Sequence, residues 1–284
     1  GAGRLTLGTG VLTAGGNNTN TTYSGVMSGS GGLTKIGTGT LTLSGANTYT
    51  GATTINAGTL ALSGSNRIGD QSAVTVAAGA TFNLGTASDT IGSLAGAGNV
   101  TVTSGTLSVG QNNTSTTFGG VIGGAGRLTK VGTGTLTLGG ANTYTGLTTI
   151  SAGTLALGAA NRIADGSALS IAAAGTLDLG GFDETVASIT GAGATSLGAG
   201  VLTTGGNNSS TTYSGVMSGS GGLTKIGTGT LTLSGGNTYT GATTINAGTL
   251  TLGGSNRIGD QSAVTVASGA TFRVGTSSDP IGAL

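Results

Sequence analysis

The chain has 284 residues, 62 of them Gly, with no Cys, no His, no Trp and a single Pro. Gly at about three times ordinary usage marks an unusual architecture, and a formal net charge of +1 removes any electrostatic case for nucleic acid or an anionic membrane. The missing Cys and His exclude a disulfide framework, the common zinc and copper sites, and His-dependent triads.

No run of about 18 apolar residues encodes a membrane helix, so no membrane insertion by this segment is expected. The opening residues Gly1-Ala2-Gly3-Arg4-Leu5 lack the apolar stretch of a signal peptide. Disorder is countered by the 36% of residues that are apolar.

Along the chain a long repeat appears first. Lys35, Lys130 and Lys225 are 95 residues apart, as are Tyr49, Tyr144 and Tyr239, and Arg67, Arg162 and Arg257. The sequence is three copies of a 95-residue unit, 1–95, 96–190 and 191–284, in unbroken register. Such regularity predicts one continuous array without linkers.

Each unit has a finer period. Gly10-Val-Leu-Thr-Ala, Gly39-Thr-Leu-Thr-Leu, Gly58-Thr-Leu-Ala-Leu, Ala80-Thr-Phe-Asn-Leu and Gly105-Thr-Leu-Ser-Val are spaced by 29, 19, 22 and 25 residues. Their alternation of apolar and small polar residues is the signature of a strand with one buried face. Helix is disfavoured by the Gly and Thr content and by the lack of a 3.6-residue apolar stripe. One coil cannot bury its own apolar side. Stacked coils can, and they predict an internal ladder of Leu12, Leu41, Leu60, Phe82 and Leu107. A second would be Ala14, Leu43, Leu62, Leu84 and Val109, and a third Leu7, Ile36, Ile55, Val76 and Val102. The expectation is an all-β fold, a parallel β-solenoid with about four coils per 95-residue unit. Eight residues past an anchor stand Asn18, Asn47, Asn66, Asn113, Asn142, Asn161, Asn208, Asn237 and Asn256. Asn tolerates left-handed geometry and hydrogen-bonds nearby backbone, so these nine are expected to form a structural turn ladder.

The stretch from Gly32 to Leu60 carries Lys-x-Gly-x-Gly, Leu-Thr-Leu, Asn-Thr-Tyr-Thr-Gly and Ala-Gly-Thr-Leu, and recurs from Arg127 and from Gly222. It resembles the passenger-associated repeat of bacterial autotransporters. That resemblance implies a right-handed parallel β-helix, secreted across the outer membrane of a Gram-negative bacterium and borne by a C-terminal β-barrel. It also implies an extracellular or cell-surface location. With neither signal peptide nor barrel in view, the chain is read as a fragment of such a protein or a departure from its layout.

Candidate chemistry is sparse. Asp178, Asp183 and Glu184 form the densest acidic group. It could serve a β-helix polysaccharide lyase or hydrolase, but a structural role is the simpler reading. Arg67 and Asp70, repeated as Arg162/Asp165 and Arg257/Asp260, are expected as surface ion pairs of small energetic weight. Lys35, Lys130 and Lys225 are expected as a sparse solvated row that guards against lateral sheet pairing. Tyr23, Phe118 and Tyr213, and Tyr49, Tyr144 and Tyr239, are expected to cover the core at turns rather than stack on sugars. Thr40-Leu-Thr42, Thr135-Leu-Thr137 and Thr230-Leu-Thr232 invite comparison with ice-binding faces, although the second Thr becomes Ala61, Asn83, Ser108 and Asp178 elsewhere. No catalytic residue, cofactor or metal is expected. The sequence points to a structural or interaction protein acting in adhesion, self-association or fibre formation. Its partners would be other copies of itself, laterally or end to end, together with surface glycans or host and cell-surface proteins. The alternatives are the β-helix polysaccharide enzyme and the ice-binding solenoid.

Overall fold

A computed structural model describes residues 1–276 and 278–284. The chain divides into two compact units, Gly1–Gly146 and Leu147–Leu284. Among the described residues every strand pairing is parallel and no helix occurs, so each unit is a parallel β-solenoid.

In unit one each coil offers three short strand positions. The first face runs from Leu12 to Leu33, Thr53, Val74 and Leu94, and reaches Phe118 and Leu138 through Gly96. The second face stacks Leu41, Leu60, Phe82, Val100 and Ile122. The third carries Asp89, Leu107 and Leu128. Unit two repeats the arrangement. Leu169, Ile189, Tyr213, Leu233 and Leu252 lie along one face, Leu177, Thr195 and Met217 along another, and Leu202, Leu223, Thr243 and Val264 along the last.

The alternating pentads do what their pattern demands. Leu43, Leu60, Phe82, Leu84 and Leu107 are fully buried, and the alternate residues of the same strands, Thr42, Thr59, Ala61, Thr81, Asn83, Thr106 and Ser108, are partly exposed. The Gly content follows from coil stacking. A Cβ on Gly45 would lie 1.7 Å from the Gly25 carbonyl oxygen, and one on Gly25 would lie 1.8 Å from that of Gly3. Turns here stack backbone on backbone, and only Gly leaves room.

The expected ladders hold only in part. Leu41, Leu60 and Phe82 do stack, as do Leu43 and Leu62. Leu12 pairs instead with Leu33, and Leu107 with Asp89 and Leu128. The 29- and 25-residue intervals each hide strands that lack the Gly-Thr-Leu signature, namely Thr21–Tyr23 and Asn99–Val102. The count of about four coils per 95 residues therefore carries a remainder, four coils and two further strand positions. Sequence-equivalent residues consequently change face. Leu33 lies on the first face of unit one, and its counterpart Leu128 on the third. In unit two, Thr148 lies on the face of Leu169 and Ile189, whereas its counterpart Thr243 lies on that of Leu202 and Leu223.

Candidate functional site

The register builds surface features that the repeat numbering conceals. On the first face of unit one, Thr13 lies opposite Thr34, Thr34 opposite Thr54, and Thr54 opposite Thr75. After Ala95 the column resumes with Thr117 and Thr137. In unit two Thr185, Thr203, Thr224, Thr244 and Thr265 form an unbroken column. Thr212, Thr232 and Thr251 lead another, which ends at Arg273. At a strand spacing of about 4.8 Å these are dense rows of hydroxyl and methyl groups that are almost free of charge. The row followed in sequence is indeed broken, since Thr42 lies opposite Ala61 and Ala61 opposite Asn83. The unbroken runs from Thr13 to Thr75 and from Thr185 to Thr265 lie on other strands, which lack the Gly-Thr-Leu signature.

The nine Asn fall into two kinds. Asn18, Asn66, Asn113, Asn161, Asn208 and Asn256 have φ between 53° and 61°, the left-handed geometry that Asn tolerates. The side-chain oxygens of Asn18, Asn113 and Asn208 accept from the backbone N–H of Thr38, Thr133 and Thr228 at 2.8–2.9 Å. Asn47, Asn142 and Asn237 are buried instead. Asn47 Oδ1 accepts from Met27 N–H at 2.8 Å, and its Nδ2 donates to Gly45 O at 3.2 Å and Arg67 O at 2.7 Å. Asn237 ties Met217, Gly235 and Arg257 in the same way, and Asn142 Oδ1 accepts from Ile122 N–H. Asn47 and Asn237 thus each staple three successive coils through one amide.

The lysines do not form a solvated row. Lys35, Lys130 and Lys225 are each 1% exposed. Lys35 Nζ donates to the carbonyls of Ile36 and Gly37 at 2.7 Å and of Ala57 at 3.1 Å. Lys225 Nζ repeats the set with Ile226, Gly227 and Ala247, and Lys130 Nζ donates to Val131 and Gly132. Burial pulls all three below the usual ammonium range, Lys130 to about 8. The stem lies within the coil wall while the head gathers otherwise unpaired turn carbonyls, which a solvated reading could not anticipate.

The acidic trio separates into local roles. Asp178 Oδ1 accepts from Gly180 N–H at 3.0 Å, and Asp183 Oδ1 from Val201 N–H at 2.8 Å. Glu184 is buried, and its carboxylate accepts from Arg162 and Ile163 N–H at 2.8 and 3.2 Å. Asp89 does the same for Arg67 and Ile68, and Asp279 for Arg257 and Ile258. Burial pushes the Asp89 and Glu184 carboxyls up to about 7. The signal was in the sequence, because one acid recurs at the same phase of all three copies. Arg67 Nε donates to Ser63 O at 3.3 Å, so its side chain braces its own turn. Among the described residues no group of three potential metal ligands gathers.

The tyrosines lie inside the core rather than over its end. Tyr49 is fully buried, and its hydroxyl shares a 2.6 Å hydrogen bond with Thr53 Oγ1, which meets Ser72 Oγ at 2.8 Å. Burial raises the Tyr239 hydroxyl to about 12. Tyr23 is half-buried, and its hydroxyl donates to Gly3 O at 2.7 Å.

The family model described as passenger-associated-transport-repeat matches residues 33–62, 128–157 and 223–256. The chain carries three passenger-associated-transport repeats, one in each 95-residue unit. The adhesin BmaC autotransporter of Brucella suis biovar 1 (strain 1330) is 40% identical over 256 residues, which is 85% of this chain and 8% of that relative. This passenger-repeat solenoid therefore spans a small part of the curated relative it matches. No solved structure matches it.

Proposed function

We propose that this β-solenoid segment works in adhesion at a cell surface, with no catalytic role, and that its columns of Thr hydroxyls mediate self-association. The observation that carries the reading is the run of Thr13, Thr34, Thr54 and Thr75 and its counterpart from Thr185 to Thr265. Outward strands with hydroxyls at fixed spacing and almost no charge can approach another such face without desolvating ions. The similarity to an adhesin autotransporter supports a location outside the cell, in an outer-membrane-associated or released protein. Asp178, Asp183 and Glu184 each accept from backbone N–H groups, which gives the acidic trio a structural use.

The test is aggregation of beads coated with the purified chain. Coated beads should cluster, and a variant with Thr34→Lys, Thr54→Lys and Thr75→Lys should keep its β circular dichroism and lose clustering. Clustering unchanged by the three lysines would remove the columns from the mechanism. Absence of clustering in the unaltered chain would remove self-association.

A further inference from the structure

Unit two holds an open groove of about 530 Å³, within the size range of small-molecule sites. One wall is the segment from Gly236 to Thr240, where alternation buries Asn237 and Tyr239 and turns Thr238 and Thr240 to solvent. The other is the turn from Asn256 to Gln261, which exposes Asn256, Asp260 and Gln261 and seats Ile258 at the floor.

Both walls are fixed before any ligand arrives. Asn237 Nδ2 donates to Arg257 O at 2.6 Å and joins one wall to the other. Asn256 is locked at φ 55°, and Asp279 holds the Arg257 and Ile258 N–H groups from the next coil. Gly236 stands at the mouth, where a single methyl would fit at ordinary contact distance. A Cβ there would lie 3.8 Å from the Arg257 guanidinium and from Asn256 O, and the first copy has Ala46 at this point.

The lining chemistry is selective. Thr hydroxyls and Asn and Gln amides both donate and accept, and a carboxylate accepts from two neighbouring hydroxyls. Asp260 is the one charged residue of the lining, so the groove disfavours an anionic ligand. Thr methyls and Ile258 supply modest apolar contact, and no aromatic ring lines the groove. Polar groups that both donate and accept, with a single carboxylate to take hydroxyl protons, match an uncharged saccharide.

We propose that this groove is a subsite for an uncharged glycan chain. The inference rests on the adhesive reading above and gives it a ligand class. The first copy presents the same residue types at Asn47, Thr48, Thr50, Asn66, Asp70 and Gln71, so one glycan chain or a dense glycan surface can be held at more than one point.

The experiment titrates the full chain with maltohexaose, N-acetylchitohexaose and, as an anionic comparison, a hexamer of galacturonic acid. The readout is the NMR shift of the Asn256 and Gln261 side-chain amides. At least one neutral probe should give saturable shifts at about 10 mM or below, weaker than a compact enclosed site would give. Gln261→Ala and Asp260→Ala should each weaken binding about tenfold with an unchanged thermal transition, and Gly236→Leu should close the mouth. No saturable shift with either neutral probe, shifts untouched by the three variants, or preference for the anionic hexamer would each overturn the proposal. The bead assay separates the two readings. Clustering without glycan binding sinks the groove alone. Glycan binding without clustering sinks self-association alone and leaves the subsite standing.

Discussion

Asp89 and Glu184 occupy the same place in the first and second copies and do the same job with different success. Each reaches back to the preceding coil and accepts from two successive backbone N–H groups. Asp89 takes both on one oxygen, Oδ2, at 2.6 and 3.4 Å, and its Oδ1 is buried with no hydrogen-bond partner. Glu184 is one methylene longer and divides the work, Oε2 to Arg162 and Oε1 to Ile163. The backbone demand is identical, yet the third copy's Asp279, no longer than Asp89, also divides the work, Oδ2 to Arg257 and Oδ1 to Ile258, so placement at the corner counts beside reach. A solenoid corner is thus a place where small differences in carboxylate placement count, because a buried acceptor without a donor carries its full desolvation cost.

Removing the carboxyl altogether is the most severe way to break the comparison. Glu184→Ala strands the Arg162 and Ile163 N–H groups and should cost about 2–4 kcal/mol. Asp89→Ala should cost less, because it also removes the unpaired Oδ1. Urea unfolding gives the totals, and hydrogen exchange at the amides of residues 67, 68, 162 and 163 places the loss at the corner. Equal costs would mean that the orphan oxygen carries no penalty.

Acidity tests the same pair from another side. Both carboxyls are raised to about 7 by burial, with Asp70 adding to the rise at Asp89 and Asp165 at Glu184. Arg67 opposes the rise at Asp89, and the backbone N–H groups oppose it at both sites. Since the folded values lie above those of the unfolded chain, the folded state binds these protons more tightly. Their contribution is fully present below the unfolded pKa, near 4, and is lost as pH rises through about 7. Stability should therefore climb on acidification from pH 8 to pH 5, by at most about 1.4 kcal/mol per pH unit for each group. Asp89→Asn with Glu184→Gln should flatten the slope, and a slope that survives both would assign it elsewhere. The buried lysines pull the other way, but at higher pH, because Lys130 titrates near 8.

Exchange of the two acids sharpens the comparison further. Asp89→Glu should gain about 1 kcal/mol if the longer side chain adopts the divided geometry, and Glu184→Asp should lose a similar amount. Opposite signs are the essential outcome. If both changes destabilise, each corner is tailored to its own acid by packing and reach is not the deciding variable.

Much of the fold was legible from alternation alone. Leu41, Leu60 and Phe82 share a period-two pattern and a regular spacing, and they stack as that pattern requires. The left-handed Asn18 and Asn66 were legible because few other residues tolerate that geometry. Asn47 was not separable from them, since a turn residue and a buried staple use the same amide and differ only in which coils surround it. The buried role of Lys35 was invisible because its three acceptors are turn carbonyls, and carbonyls are the same at every residue. The change of face between copies was hidden for a related reason. A 95-residue repeat suggests an integral number of coils, and only the pairing of Leu12 with Leu33, 21 residues on, shows otherwise.

The smallest expected effect is a control within one strand. Thr53 and Thr54 are neighbours on the first face, but Thr53 is buried and hydrogen-bonded to Tyr49 and Ser72, while Thr54 faces outward in the column. Thr53→Val leaves two buried hydroxyls short of a partner and should cost about 1–3 kcal/mol. Thr54→Val keeps shape and β-branching at a surface position and should stay within about 0.5 kcal/mol. Under the proposed self-association its effect should appear in bead clustering instead, because one hydroxyl is lost from the column. If Thr54→Val destabilises as much as Thr53→Val, the outward column is part of what holds the coils together, and its regular spacing reflects stability rather than recognition.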